Sequence, residues 1–189
     1  MKKIQYVLLF LCLSILSNYS FSAQNENEGF LKNTYNDFKY KVSDTWNNSN
    51  QKDIYIPLNT WHNRATYDKE KTDEYNENPW GLGYGKSMYD EKKNWNAIYI
   101  MAFKDSHNKW EPIGGYAWEK QWYYNDFRIG LGYTAMITAR NDWLHYALPV
   151  PGVLPLVSFS YKNLSIQNTY IPGTYNNGNV WFMWARYQL

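Results

Sequence analysis

From Phe30 to Trp46 the apolar positions fall at Phe30, Leu31, Tyr35, Phe38, Val42 and Trp46. That spacing gathers them on one helical face, with Lys32, Asp37, Lys39 and Lys41 elsewhere on the wheel. It predicts an amphipathic helix over about 29–47. Such a helix lies in a membrane interface or packs on the body of the protein, although an ordinary surface helix shows the same spacing. After Trp46 the texture changes to runs of roughly ten residues separated by turn chemistry. The runs are 53–62, 80–90, 95–104, 110–122, 127–139, 153–161, 163–171 and 179–189. Asp90 to Asn94 and Lys162-Asn163 suit short hairpin turns, and Asn176-Asn177-Gly178-Asn179 is a loop signal. Polar stretches at 63–79 and 140–152 complete the connections. The expectation is an all-β fold: an eight-stranded antiparallel transmembrane β-barrel over about 53–189, preceded by the N-terminal amphipathic α-helix.

Within two of these runs both faces are apolar. Trp181, Met183, Ala185 and Tyr187 alternate with Val180, Phe182 and Trp184. Tyr99, Met101 and Phe103 stand opposite Ile98, Ile100 and Ala102. A water-filled pore has a polar inner face, so this pattern predicts a dry interior over at least part of the barrel. A barrel of this size holds side chains or one slim ligand. Gly81, Gly83, Gly85, Gly114, Gly115, Gly130 and Gly132 remove bulk and favour a cavity. Glycines also relieve bending strain in curved strands, and a barrel plugged by its own side chains is the competing picture.

Composition sharpens this. Aromatic residues make up 20% of the 189-residue chain. Tyr and Trp favour membrane–water interfaces, where the ring sits among headgroups. Lys2 and Lys3 precede an apolar run from Val7 to Leu16, and small residues Ser20, Ser22 and Ala23 follow. Residues 1–23 therefore read as a cleaved secretory signal, leaving a single domain of residues 24–189. No later segment has the roughly 18 apolar residues of a membrane helix. The lone cysteine, Cys12, leaves with the signal, so the exported chain has no disulfide to rely on. The net charge of +2 carries no message, and no basic, aromatic-interleaved patch for nucleic acid is present.

The candidate chemistry sits in polar turns between these runs, where reactive groups on rigid scaffolds gather. Phe103-Lys104-Asp105-Ser106-His107 places an acid, a hydroxyl and an imidazole together. Thr60-Trp61-His62 opens onto the longest polar stretch, and His145 lies in 140–152. By composition alone each histidine reads as readily as a solvated loop residue, and Asp105-Ser106 as a turn cap. The histidines lack metal-ligand spacing, no phosphate-cradling glycine motif occurs, and no cofactor is expected.

Three long strings make the reading more specific: Phe103 to Pro112, Asp68 to Gly81, and Tyr170-Ile171-Pro172-Gly173-Thr174-Tyr175-Asn176-Asn177-Gly178-Asn179-Val180. With them, the chain from about Trp46 onward closely resembles the lipid A palmitoyltransferase (PagP) family of outer-membrane acyltransferases. The resemblance implies transfer of a palmitoyl or slightly shorter chain from a glycerophospholipid donor to lipid A, within the outer leaflet of the Gram-negative outer membrane. It implies that His62, Asp105 and Ser106 are the catalytic set. His62 suits the base that takes the acceptor's proton. Asp105 would orient the imidazole or stabilise its charged form, and Ser106 would donate to the oxyanion or act as nucleophile. Lateral lipid access is implied at Pro57, Pro79, Pro155 and Pro172, because proline lacks the N–H that a sheet needs. The family's acyl-chain floor glycine aligns with Ala117, whose methyl takes up roughly one methylene of depth and predicts a chain shorter than palmitate. Lys104, Lys109 and Arg64 suit lipid A phosphates, and Arg140 suits loop support or a phosphate contact. A monomer or weak dimer is expected, since a closed barrel has no free edge. The alternative is a non-enzymatic lipid-binding or structural outer-membrane barrel.

Overall fold

Alternation decides the architecture, because successive strand residues point to opposite faces. In the computed structural model, which describes residues 24–141 and 148–189, the chain forms a helix and eight strands in sequence. The helix α1 spans Gln24–Asn48 and therefore begins earlier than the apolar spacing alone suggests. The strands are β1 (Gln51–His62), β2 (Gly81–Tyr89), β3 (Trp95–Lys104), β4 (Trp110–Tyr124), β5 (Phe127–Thr138), β6 (Val150–Tyr161), β7 (Leu164–Ile171) and β8 (Val180–Gln188). A short helix α2, Lys69–Glu74, interrupts the long polar stretch where only loop was expected. The expected signal, 1–23, and His145 lie outside the described residues.

Of the described residues, 24–40 belong to one compact unit and Lys41–Leu189 to another. In the second, the last turns of α1 are tied to the strands. Lys86 Nζ donates to the Trp46 carbonyl at 3.0 Å, and Lys41 lies 5.5 Å over the Trp118 ring. A cation against the final carbonyls of a helix complements its dipole.

Each strand pairs antiparallel with its sequence neighbour, and β1 closes the barrel on β8. Outward positions expose Ile56, Leu58, Leu82, Ile100, Ile129, Leu131, Ile137 and Val153. Trp61, Trp80, Trp110 and Trp181 rim this belt at one mouth, and Trp122, Tyr124, Phe127, Tyr161 and Tyr187 at the other. An apolar band between aromatic girdles is what a bilayer requires of a barrel wall. Among the described residues no helix is long and apolar enough to cross a membrane.

Two interior layers fill the barrel. Towards the mouth that carries His62, Tyr99, Met101, Phe103, Ala117, Leu156, Phe182 and Trp184 form one buried apolar cluster. Phe103 and Phe182 stack with ring centroids 4.8 Å apart. Below it lies a buried polar layer, so the dry interior extends over one half only. Arg186 donates to Asp53 at 3.2 Å and to Ser165 at 2.8 Å. Glu119 accepts from Ser158 at 2.8 Å, Gln121 at 2.6 Å and Gln167 at 3.1 Å. Gly83 and Gly130 make room for interior side chains and not for open space. A Cβ on Gly83 would lie 2.8 Å from the Met101 Cβ, and one on Gly130 would lie 2.5 Å from a Glu119 carboxylate oxygen. The enclosed space beside Ala117 is about 10 Å³, walled by Tyr55, Tyr99, Thr134, Leu156, Gln167 and Trp184.

The wall is not continuous. β1 pairs with β2 only from Gln51 to Tyr55, although β1 runs on to His62. β6 pairs with β7 only from Leu156 to Tyr161, although β6 begins at Val150. Pro57 and Pro79 flank the first break, and Pro155 and Pro172 flank the second. Both breaks lie in the half of the barrel that ends at the His62 mouth.

Candidate active site

His62 is the last residue of β1, and its side chain turns inward beneath the loop that follows. It is buried, with 3% of its surface exposed. Three connections meet there: 63–80 after β1, the turn 105–109 after β3, and 172–179 after β7. Asn76 N donates to the Ser106 carbonyl at 2.9 Å, and Asn76 Nδ2 donates to Asn108 Oδ1 at 3.0 Å. Asp68 holds the third connection, accepting from Tyr175 Oη at 2.5 Å and from Asn176 Nδ2 at 2.6 Å. Buried between such ties, the site is preorganised.

His62 Nε2 lies 3.0 Å from Ser106 Oγ. The other ring nitrogen, Nδ1, lies 3.0 Å from Glu77 Oε1. Tyr67 and Tyr75 pack on the imidazole, with centroids 5.1 and 4.6 Å away, and His107 packs on Tyr75 at 5.2 Å. Asp105 stands elsewhere. Its Oδ1 accepts from the backbone N–H groups of His107 at 2.9 Å and Lys109 at 2.8 Å. It caps the turn that aims Ser106, as Asp and Asn do when they close such turns. The acid facing the imidazole is Glu77.

Burial works against a charge on Glu77, but hydrogen bonds from Arg64, the His62 backbone and the His62 ring outweigh it. They hold its carboxyl at about 2, below the usual 4.5. Arg64 reaches both oxygens, at 2.7 and 2.6 Å. Its guanidinium is therefore engaged with Glu77 where the sequence suggested a lipid phosphate. Arg140 donates to Glu111 at 3.4 Å, which gives it a supporting place at the loop base. Lys104 lies 4.5 Å over the Trp110 ring, in the aromatic rim.

Of the residues singled out in the sequence, the fold brings His62 and Ser106 into contact. Asp105 stands behind Ser106, Ala117 lies in the apolar cluster below, and the four prolines border the two breaks. Glu77 was hidden, and Arg64 was read for a lipid phosphate and not for this carboxylate. Glu77 is one of several acids between Asp68 and Asn78, and only contact distinguishes it from its neighbours. Among the described residues no cluster of three or more His, Cys, Asp or Glu side chains is arranged to hold a metal ion.

A closed barrel with a lipid-facing belt and a histidine–serine pair at one mouth defines an outer-membrane β-barrel enzyme. The match to known proteins agrees. Residues 41–186 match the family model described as antimicrobial peptide resistance and lipid A acylation protein PagP. The chain belongs to the PagP family. A relative from Erwinia tasmaniensis, named lipid A acyltransferase PagP, is 52% identical over 98% of this chain and 99% of its own. One of the same name from Erwinia amylovora is 51% identical over 100% and 98%. A third, from Sodalis glossinidius, is 59% identical over 80% of each chain.

Proposed function

We propose that this lipid A acyltransferase takes a palmitoyl-like chain from a glycerophospholipid and delivers it to a hydroxyl of lipid A at the mouth that carries His62. The observation that carries the reading is the 3.0 Å contact of His62 Nε2 with Ser106 Oγ, inside a membrane barrel of the PagP family. A non-enzymatic carrier has no use for a buried, preoriented imidazole facing a hydroxyl.

Each residue of the set has a task. Nδ1 faces a carboxylate and carries the proton, which leaves the lone pair on Nε2. His62 takes the proton of the lipid A hydroxyl as its oxygen attacks the ester carbonyl. Ser106 rotates its O–H from Nε2 towards the developing oxyanion, which frees Nε2 for the acceptor. When the tetrahedral intermediate collapses, the ester bond of the donor breaks and His62 returns the proton to the departing lysophospholipid oxygen. Asp105 acts through the turn it caps, holding Ser106 in place. The donor ester supplies its own activation, and no cofactor takes part.

The two wall breaks bordered by Pro57, Pro79, Pro155 and Pro172 serve as lateral access for lipids, since they open at the depth of the acyl chains. The donor chain descends towards Ala117. The apolar cluster is closed around about 10 Å³ there, so side chains such as Phe103 and Phe182 swing aside as the chain enters. Residues 1–23 are removed on export, and the barrel works as a monomer or weak dimer because its closed sheet has no edge that demands a partner.

The test is mass spectrometry of lipid A from a Gram-negative strain lacking its own palmitoyltransferase and expressing this chain, beside H62A. A new acyl mass that disappears in H62A supports the reading. The same added mass in both strains, or none from a membrane-inserted barrel, sinks it. The intact mass of the exported protein reports whether residues 1–23 are gone.

A further inference from the structure

A single oxygen of Glu77 accepts from His62 twice. The His62 backbone N–H reaches Oε1 at 2.9 Å, and ring Nδ1 lies 3.0 Å from the same atom. A ring flip would break the second bond while the first holds the carboxylate in place. Glu77 is itself anchored. Its carbonyl accepts from Thr60 N at 2.9 Å and Asn59 Nδ2 at 3.0 Å, and Arg64 clamps both of its side-chain oxygens. Arg64 Nη1 also donates to the His62 carbonyl at 3.0 Å, which closes the ring of contacts. Asp105 is occupied with two backbone amides of its own turn.

From this geometry we infer that Glu77 is the positioning residue of His62, a role the sequence assigned to Asp105. Its carboxylate keeps the Nδ1–H tautomer, aims Nε2 at the reacting hydroxyl, and stabilises the imidazolium that forms when the proton is taken. The inference rests on His62 being the general base. The other titratable groups facing the imidazole, directly or through Tyr75, are Arg64, Tyr67, Tyr75 and His107. Tyr67, Tyr75 and His107 make no bond to Glu77. Arg64 loses its ion pair when Glu77 is neutralised, and its charge then disfavours the imidazolium in the same direction as the lost carboxylate.

The experiment is acyl transfer by the folded full-length barrel in detergent micelles, with dipalmitoylphosphatidylcholine and lipid A, for the wild type, E77Q, E77D, D105N and H62A. E77Q is expected to lower kcat about 10- to 100-fold with little change in KM. It is also expected to move the acid limb of kcat/KM to lower pH, because the carboxylate no longer favours the imidazolium. E77D should restore part of both, and D105N should leave the acid limb where it is. A wild-type kcat in E77Q, or a loss with an unmoved acid limb, overturns the inference. An active H62A overturns the base assignment instead, which separates the two failures. The nitrogen chemical shifts of His62 in the wild type give an answer that no folding defect can obscure. A protonated Nδ1 at neutral pH supports the role, and a protonated Nε2 refutes it.

Discussion

Ser106 Oγ and His62 Nε2 stand 3.0 Å apart although 44 positions separate the two residues in the chain. Different strands deliver them, and a separate loop fixes both. The hydroxyl therefore has two possible uses, as nucleophile or as oxyanion donor, and the proposed mechanism requires the second. S106A is expected to reduce turnover by about 10²- to 10³-fold, the usual loss of one oxyanion donor. Intact-protein mass spectrometry with donor and no acceptor should find no acyl group on the wild-type enzyme. A donor-dependent acyl adduct that S106A abolishes would make Ser106 the nucleophile.

Much of the barrel was legible because period-two alternation survives wherever one face meets lipid. Trp181, Met183, Ala185 and Tyr187 read outward in the sequence and lie outward in β8. The polar lower layer was harder. Ser158, Ser160, Ser165 and Gln167 alternate in short runs that an exposed strand would also show. Only Glu119 and Arg186, brought together by strands remote in sequence, reveal them as interior. The helix α2 was invisible because charged residues dominate it and a single Thr72 provides its buried contact. At the site, His62 and Ser106 were legible through family resemblance and Glu77 was not, since pairing across loops leaves no local pattern.

Ala117 is 3% exposed and sits in the apolar cluster at the level of Gln167, where the interior turns polar. If a bound chain ends there, the methyl takes roughly one methylene from its space. A117G should therefore shift the transferred chain to a longer one, read from the acyl masses on lipid A made with a mixed donor pool. The wild type should favour a chain shorter than palmitate. A sharp sixteen-carbon preference in the wild type, unchanged in A117G, would place the floor elsewhere.

If the wall breaks admit lipid, closing them slows transfer without changing which chain is chosen. Pro155 is the last β6 residue above the paired stretch, and alanine there would return an N–H to the sheet. P155A and P57A should each lower turnover severalfold in micelles, and their product chain length should stay that of the wild type. Wild-type turnover in the double substitution P57A/P155A would argue for access through the open mouth.

The interior pair of Asp53 and Arg186 is 0% and 1% exposed, and Arg186 also stacks 4.5 Å over Trp95. Removing one member leaves an unpaired charge in a buried site, which costs about 3–5 kcal/mol. R186M is expected to lower the unfolding free energy by that amount in guanidinium titrations of the micelle-bound barrel. The double substitution D53N/R186M should recover most of the loss, because both charges are then gone. An R186M barrel as stable as the wild type would show that the lower layer contributes no stability through this pair.

The Glu77 clamp gives a pH signature with a definite sign. Its carboxyl is held at about 2 in the folded protein against an ordinary 4.5. A depressed carboxylate stabilises the fold fully above its unfolded value and loses that stabilisation as pH falls towards its folded value. The contribution is on the order of 2 kcal/mol, once the half-exposed Arg64 partner is discounted for solvent screening. The part of the difference in unfolding free energy between wild type and E77Q that the carboxylate's own charge carries should shrink steadily between about pH 4.5 and 2. Because the clamp joins β1 to its following loop, protease nicking between Asn63 and Pro79 should rise over the same interval in the wild type. A difference that stays constant down to pH 2 would mean that Glu77 holds the loop without its charge.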